Sequence, residues 1–237
     1  MSFASVSTAD VLLATLHDAG VQYLFANFGS DHPGIIEALA RRRARGEPAP
    51  EVILCPHEMT ALAAAHGFAA VTSSPQAVIV HTDVGTANLG GSVHNVARSR
   101  IPALILAGLT PYTLENEQPG SRTIHSNFLQ DVAFQHDLVR PYVKWSYDLR
   151  TGANVRQVVS RGLQLAASEP RGPVYLTMAR EVLAESVSAP DGNSAADPTM
   201  FRPIAPTAAP AELIDQLIRD VRQARLPVLV TSYLGSR

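Results

Sequence analysis

One acidic residue of the chain stands in an unusually apolar setting. In the stretch CPHEMTALAAAHGF, residues 55–68, Glu58 begins a run that has the composition of a core-facing helix. The helix dipole favours a carboxylate at such a position, but a carboxylate that its neighbours carry into a core is costly unless a specific contact requires it. Glu58 is therefore a candidate functional residue.

Two further polar residues follow buried strands. Ser30 lies in NFGSDHPG after the predicted strand VQYLFAN, and His81 closes the predicted strand QAVIVHT. Glu58 comes shortly after a third strand, EVILC. Ligands of parallel α/β sheets bind at the carboxyl ends of the strands, so these three side chains are predicted to meet on one rim. The alternative is that each residue only caps the helix that follows it.

Alternating strands and helices predict the fold that positions these residues. Ser7 or Thr8 can cap a first helix that runs to about Asp18 and ends at Gly20. The later strands, PALILAG and GPVYLTM, are almost continuously apolar, which is typical of a parallel sheet covered on both faces. We therefore expect an α/β fold with a doubly wound, mostly parallel sheet and helices on both faces.

The chain divides by composition into three parts. Residues 1–186 carry the α/β pattern, residues 187–210 have the composition of a linker, and residues 211–237 hold one helix and one strand, PVLVTSY. One helix and one strand cannot bury a core. We therefore expect the last part to be the truncated start of a second α/β domain, or to be completed by another chain.

Residues 111–150 are predicted to form a long irregular loop that serves function or an interface. Trp145, within this loop, is predicted to serve packing.

Composition narrows the range of partners. The formal net charge is −2 and 17% of the residues are charged, so neither nucleic acid nor an anionic membrane is expected as a partner. No stretch approaches the roughly 20 apolar residues of a membrane span, and the N-terminus lacks the basic region of a signal peptide. Cys55, the single cysteine, has no internal disulfide partner. A cytoplasmic location is the default expectation.

Several familiar motifs fail on spacing. HEMTA begins like a zinc-protease helix, but Ala61 stands where the second His should be. DVGTANLGG is predicted to be a glycine-rich turn that permits close backbone approach to a ligand, since it lacks both the Lys of a phosphate loop and the spacing of a dinucleotide fingerprint. Two groups are expected to be solvated or structural, with anion binding an alternative for the arginines: Arg41, Arg42, Arg43 and Arg45; His66, His94, His125 and His136.

Three stretches together resemble a known family: CPHEMTALAAAHGFAAV, AVIVHTDVGTANLGGSVHNVARSRIPALILAG and GPVYLTMAREV. They are similar to the N-terminal, pyrimidine-binding domain of thiamine-diphosphate enzymes of the acetolactate synthase and pyruvate decarboxylase group. The resemblance extends from about Thr8 to the end of the chain, where it reaches the beginning of the family's central domain. Within the group, NFGS, HE, VHTDVGT and RPYVKWSY look most like the benzoylformate decarboxylases.

The resemblance implies a role for each candidate residue. The glutamate that matches Glu58 hydrogen-bonds N1′ of the cofactor's aminopyrimidine, and proton transfer there activates the cofactor's thiazolium carbon toward a 2-keto acid. His81 would relay protons to and from the reacting substrate, and Ser30 would bind the substrate carboxylate or a developing alkoxide. Four further positions would line the pyrimidine pocket with their backbone: Asn27, Gly29, Gly85 and Thr86.

Two departures from the family bear on the substrate. Phe28 replaces the usual proline, and His32 stands where an acid or amide is common. The stretch RRRARGEPAPEVILC is also longer than expected for the relatives. The identity of the 2-keto acid stays open, and so does the choice between decarboxylation and carboligation to an acyloin or acetolactate.

A third departure concerns the diphosphate and Mg²⁺. The family holds both with a C-terminal domain that carries a Gly-Asp-Gly…Asn signature. This chain has no match to that signature, so none of its residues is predicted to be a metal ligand. The expected partners are a 2-keto acid and either a homo-oligomer or a chain that carries the diphosphate-binding domain. The rival readings are an acetolactate-synthase-like carboligase, a non-catalytic half-subunit, and a generic nucleotide-binding domain, which leaves Glu58 unexplained.

Overall fold

A six-stranded sheet forms the centre of the fold. The computed structural model describes residues 5–188 and 198–233. The described strands, in chain order, are β1 Ser5–Ser7, β2 Tyr23–Ala26, β3 Glu51–Leu54, β4 Gln76–Val80, β5 Ala103–Leu109, β6 Trp145–Leu149, β7 Pro173–Ala179 and β8 Ser186–Ser188. The large sheet has the order β3-β2-β4-β5-β7-β6, and all of its neighbouring strands are parallel. β1 and β8 form a separate antiparallel pair.

Helices cover both faces of this sheet. The described α-helices are α1 Thr8–Asp18, α2 Pro33–Arg45, α3 Glu58–Thr72, α4 Thr82–Ala87, α5 Gly90–Arg98, α6 Ser126–Leu129, α7 Val155–Ala167, α8 Arg180–Ala184 and α9 Ala211–Gln223. One apolar core joins the sheet to α1, α2, α7 and α8, and a second core joins the opposite face to α3 and α5. Every residue of β4 and of β7 is buried, as a parallel sheet covered on both faces requires. The predicted fold class is confirmed.

Local signals place the ends of the first elements as predicted. The Ser7 side chain accepts a hydrogen bond from the backbone N–H of Asp10 and caps α1, and Gly20 follows the helix with a φ of 81°. The predicted helix that opens at Glu58 is α3. The elements that carry the candidate residues therefore begin and end where their capping chemistry indicates.

Two stretches differ from the sequence prediction. DVGTANLGG is not a turn, because α4 begins at Thr82 and α5 begins at Gly90, with a short break between them. Within residues 111–150, which were predicted to be irregular, Trp145–Leu149 forms an edge strand of the large sheet. Its residues mix polar and apolar side chains and are mostly half-buried, so they lack the apolar run that marks the central strands. Trp145 stacks on Tyr147, with ring centroids 5.4 Å apart.

The last part of the chain was predicted less well. Ala211–Gln223 is helical, as expected, but has no buried residue. The predicted strand PVLVTSY, residues 227–233, is wrong: the segment is exposed and irregular. A strand needs a neighbour for its backbone hydrogen bonds, and within the described ranges this segment pairs with none. Part of the predicted linker, residues 189–197, lies outside the described residues, so the domain boundaries at 186 and 210 stay predictions.

Candidate active site

The segments that follow β2, β3 and β4 meet at one edge of the sheet. These three strands are neighbours in the sheet, and hydrogen bonds continue beyond their ends. The N–H of Asn27 donates to the carbonyl of Ile79 at 3.0 Å, and the N–H of Cys55 donates to the carbonyl of Ala26 at 2.8 Å. The Asn27 side chain also donates to the carbonyl of Cys55 at 3.0 Å. The segments that carry Ser30, Glu58 and His81 are thus fixed to one another.

Glu58 is a buried carboxylate with one oxygen left without a partner. It is 7% exposed and is the first residue of α3, after the cap His57. Its Oε2 accepts a hydrogen bond from Asn88 Nδ2 at 3.0 Å, whereas Oε1 has no hydrogen bond within the described residues. A Cβ built on Gly85 would lie 3.1 Å from Oε1, so the backbone of α4 comes close to this oxygen. Glu58 Oε1 can therefore exchange a hydrogen bond or proton with a small ligand.

His81 is hydrogen-bonded through both ring nitrogens. Its Nδ1 lies 2.5 Å from Asp31 Oδ1, and its Nε2 lies 2.7 Å from Gln130 Nε2. The hydrogen bond with Asp31, together with the charges of Asp31, Asp83 and Glu58, raises the pKa of His81 against the opposing effect of burial. The imidazole is therefore held in one orientation and favours its protonated form more than a free histidine does.

Asp31 is a buried carboxylate between two imidazoles. Burial pushes the pKa of Asp31 upwards, but the hydrogen bond from His81 and the charges of both histidines outweigh it, so the pKa lies below its ordinary value. His32 Nδ1 accepts a hydrogen bond from the backbone N–H of Gly29 at 3.0 Å. Its Nε2 is 3.2 Å from Asp31 Oδ2, without the geometry of a hydrogen bond. Burial lowers the pKa of His32, which favours the neutral form of this second imidazole.

Ser30 lies in the turn directly before Asp31. It is exposed, and its hydroxyl makes no hydrogen bond within the described part of the chain. The residue before it lies against the imidazole, since a Cβ built on Gly29 would be 2.2 Å from His81 Nδ1. The ring of Phe28 packs edge-on against His32 at 5.7 Å. Phe28 and His32, the two departures from the family pattern, thus pack against each other on either side of Ser30 in the sequence.

The Thr86 side chain is turned toward the sheet. Its hydroxyl donates to the carbonyl of Thr82 at 2.7 Å and pairs with the Tyr175 hydroxyl at 2.7 Å. Gln135 Nε2 donates to Tyr175 at 2.9 Å and to the carbonyl of Gly108 at 2.9 Å. Burial raises the pKa of Tyr175, which keeps its proton available for this network. Because its side chain is engaged in these hydrogen bonds, Thr86 could line the predicted pyrimidine pocket only with its backbone.

Sequence reasoning missed three residues of this site: Asp31, Asn88 and Gln130. Asp31 stands directly after Ser30 and could have been found as an acid in a turn at a strand end. Asn88 lies inside the predicted turn DVGTANLGG, and its role is recognisable only from its contact with Glu58. Gln130 lies in the irregular stretch 111–150, which gave no periodic signal.

Neither a metal cluster nor a membrane-spanning segment is found in the described ranges. No three His, Cys, Asp or Glu side chains among those residues are grouped to hold a metal ion. His136, one of the histidines predicted to be structural, lies 2.6 Å from Asp148 and links its loop to β6. No described helix has the length and apolar character needed to cross a bilayer.

A cleft lies at the opposite edge of the sheet, where β5 and β7 begin. Its volume is about 740 Å³, and it is lined by the ends of segments that lead into β5 and β7, including Arg100, Pro102 and Pro170. None of the predicted site residues lines it. The chemistry-bearing residues are therefore grouped at the carboxyl edge, where parallel α/β sheets bind their ligands.

Comparison with known proteins gives a consistent picture. The family model for the thiamine pyrophosphate enzyme N-terminal TPP binding domain matches residues 6–137. Benzoylformate decarboxylase of Pseudomonas aeruginosa PAO1 is 29% identical over 179 residues, which cover 75% of this chain and 31% of that protein. Acetolactate synthase of Bacillus subtilis strain 168 is 23% identical over 229 residues, which cover 97% of this chain and 36% of that protein.

Solved structures share the fold. The thiamine diphosphate-dependent 4-hydroxybenzoylformate decarboxylase of Rhodococcus jostii RHA1 superposes with a TM-score of 0.71 at 20% identity, over 94% of this chain and 38% of that one. The chain thus spans about a third of the length of these relatives.

Proposed function

The chain belongs to the thiamine pyrophosphate enzymes through their N-terminal TPP binding domain, and we propose that it supplies the pyrimidine-binding half of an active site for 2-keto acids. Thiamine pyrophosphate is another name for thiamine diphosphate. The reaction that we propose is non-oxidative decarboxylation of the benzoylformate type. The observation that carries the proposal is the buried Glu58, whose Oε1 has no hydrogen bond from the described residues and lies close to the backbone of Gly85.

The residues present fit the aminopyrimidine ring. A ring nitrogen needs a partner that can share a proton, and Glu58 Oε1 offers one. Asn88 holds the other carboxylate oxygen and so fixes the direction of Oε1. In our proposal the backbone at four positions lines the same ring: Asn27, Gly29, Gly85 and Thr86. When bound, thiamine diphosphate supplies an electron sink for the loss of carbon dioxide.

His81 and Ser30 act on the substrate in this proposal. The raised pKa of His81 favours its protonated form, and in our proposal the ring donates and accepts a proton at Nε2, which is the work of a general acid–base group. The exposed Ser30 hydroxyl, which has no partner within the described residues, is free to bind the substrate carboxylate or the oxygen of its keto group. Glu58, His81 and Ser30 are thus the proposed catalytic residues.

The other half of the site comes from elsewhere. We propose that residues 1–186 are the pyrimidine-binding domain, residues 187–210 a linker, and residues 211–237 the start of a central domain. The diphosphate and Mg²⁺ bind several charged or polar ligands at once, and we assign those ligands to a diphosphate-binding domain outside this sequence. A homo-oligomer or a partner chain would bring that domain to the carboxyl edge of the sheet.

Carboligation is the second candidate function. The similarity to acetolactate synthase covers 97% of the chain, whereas that to benzoylformate decarboxylase covers 75%. Phe28 and His32 also alter the turn beside the substrate side of the site. Both observations favour keeping an acetolactate-synthase-like reaction as the alternative.

Product analysis separates the candidates. The chain is combined with a polypeptide that carries the family's diphosphate-binding domain, thiamine diphosphate and Mg²⁺, and is given benzoylformate or pyruvate. We expect carbon dioxide and benzaldehyde from benzoylformate. Acetolactate from pyruvate with no use of benzoylformate would assign the carboligase instead. Tight cofactor binding without turnover of either acid would contradict an enzymatic role.

A further inference from the structure

His81 is held from both sides by residues to which no function has been assigned. Asp31 contacts its Nδ1 and Gln130 contacts its Nε2. We propose that Asp31 and Gln130 are positioning residues that fix the proton of His81 on Nδ1 and keep Nε2 as the nitrogen that exchanges protons. The inference rests on the proposed function, because it concerns the residue that we assign to proton relay.

The fold builds a place for the Asp31 carboxylate. Asp31 is 2% exposed, and its Oδ2 reaches the last part of β5, where a Cβ built on Gly108 would lie 1.3 Å away. The second approach is at Gly29, whose Cβ would be 2.2 Å from His81 Nδ1. The carboxylate and the imidazole can meet at 2.5 Å only because neither backbone position carries a side chain. A buried carboxylate in such a place needs a hydrogen-bond donor.

This contact decides which nitrogen of His81 carries the proton. An ionised carboxylate only accepts hydrogen bonds, so Nδ1 must donate and holds its proton in both the neutral and the charged ring. Nε2 is then the nitrogen that gains and loses a proton. The other charged groups that face the ring, Asp83 from α4 and Glu58 from α3, favour the protonated form but make no hydrogen bond to it. His32, whose pKa burial lowers, is the other titratable group beside Asp31.

Gln130 is suited to both protonation states of His81. When Nε2 has no proton, the amide can donate its N–H to the ring, and when Nε2 is protonated, the amide can turn its oxygen toward it. The backbone of Gln130 is fixed by two hydrogen bonds. Its carbonyl accepts one from the Thr110 hydroxyl at 2.7 Å, and its N–H donates one to the backbone carbonyl of Ser126 at 3.2 Å. Gln130 therefore holds the direction of the ring without favouring either state.

Nitrogen-15 NMR of the histidine side chains tests the proposal without cofactor or turnover. The 237-residue chain is titrated, and the His81 signals are assigned by their loss in His81→Gln. We expect the neutral ring of the wild type to carry its proton on Nδ1 and to titrate above the ordinary histidine value. Asp31→Asn should bring the midpoint down to that value or below it. Asp83→Asn, which removes the same charge from a residue that has no hydrogen bond to His81, should lower the midpoint less.

A second pair of variants tests Gln130. Gln130→Glu places a carboxylate at Nε2, so the His81 midpoint should rise, whereas Gln130→Ala should leave it close to the wild-type value. A wild-type neutral ring protonated on Nε2, equal effects of Asp31→Asn and Asp83→Asn, or a midpoint unmoved by Gln130→Glu would each overturn the proposal. Because these signals do not require catalysis, they separate a failure here from a failure of the proposed function.

Discussion

Replacing Gly108 by alanine should break the contact between Asp31 and His81, because the new side chain would meet the Asp31 carboxylate. The new methyl carbon would lie 1.3 Å from Asp31 Oδ2, and ordinary contact begins near 3.4 Å, so the carboxylate has to move by about 2 Å. That displacement removes the hydrogen bond to His81 and the weaker one from the N–H of Thr82, which is 3.3 Å long. A hydrogen bond to a charged group contributes about 1.5–3 kcal/mol. We therefore expect Gly108→Ala to lower the free energy of unfolding by about 2–4 kcal/mol.

Urea unfolding followed by the fluorescence of Trp145, the only tryptophan, measures this loss. Gly67→Ala is the matched control, because it lies inside α3 and a Cβ there would meet nothing within 4 Å. It should raise the free energy of unfolding by about 0.5–1 kcal/mol through helix propensity.

A rescue variant identifies the cause. When Asp31 is also changed to alanine, the methyl group at position 108 has room, so Gly108→Ala should then cost less than about 1 kcal/mol. An equal cost in both backgrounds, or no cost in the wild type, would refute the close approach that places the carboxylate.

Three further predictions concern neighbouring residues. Tyr175→Phe leaves two buried hydrogen-bonding side chains short of a partner and should cost about 1–3 kcal/mol in urea unfolding; an unchanged midpoint would contradict the network. The folded-state pKa of His81 is raised, so its stabilisation is complete below its unfolded pKa of about 6.5 and is lost as pH rises through the folded value. His81→Gln should therefore cost more at about pH 6 than at about pH 9; the reverse order would be inconsistent with a raised pKa. In the assembled enzyme Ser30→Ala should raise KM at least as much as it lowers kcat, whereas His81→Ala should mainly lower kcat and change its pH profile; unchanged kinetics in both variants would assign the substrate contacts elsewhere.

The sequence predicted those parts of the site that depend on local signals. The strand ends before Ser30, Glu58 and His81 follow from apolar runs and from the residues that cap the next helices. The parallel sheet then brings these ends to one edge whatever the details of the loops. Glu58 could be singled out because its chemistry conflicts with that of its neighbours.

The contacts between distant segments could not be predicted. Asp31 and His81 are 50 positions apart, and their pairing depends on the missing side chains of Gly29 and Gly108, which no periodic pattern reveals. Gln130 comes from a stretch without regular spacing. The edge strand β6 was missed because its half-buried residues carry no apolar run. The segment 227–233 was wrongly assigned because an apolar run predicts a strand even where no described strand pairs with it.

Exchange of the cofactor's thiazolium C2 proton for deuterium tests the central claim, that Glu58 shares a proton with the aminopyrimidine ring. The enzyme is assembled with the diphosphate-binding domain and saturating thiamine diphosphate and Mg²⁺, and exchange is followed by proton NMR after rapid quenching. We predict that Glu58→Gln slows exchange by about 10²-fold or more, as expected for lost acid–base catalysis. Glu51→Gln, at the exposed start of β3, should leave the rate unchanged. Wild-type exchange in Glu58→Gln would contradict the account.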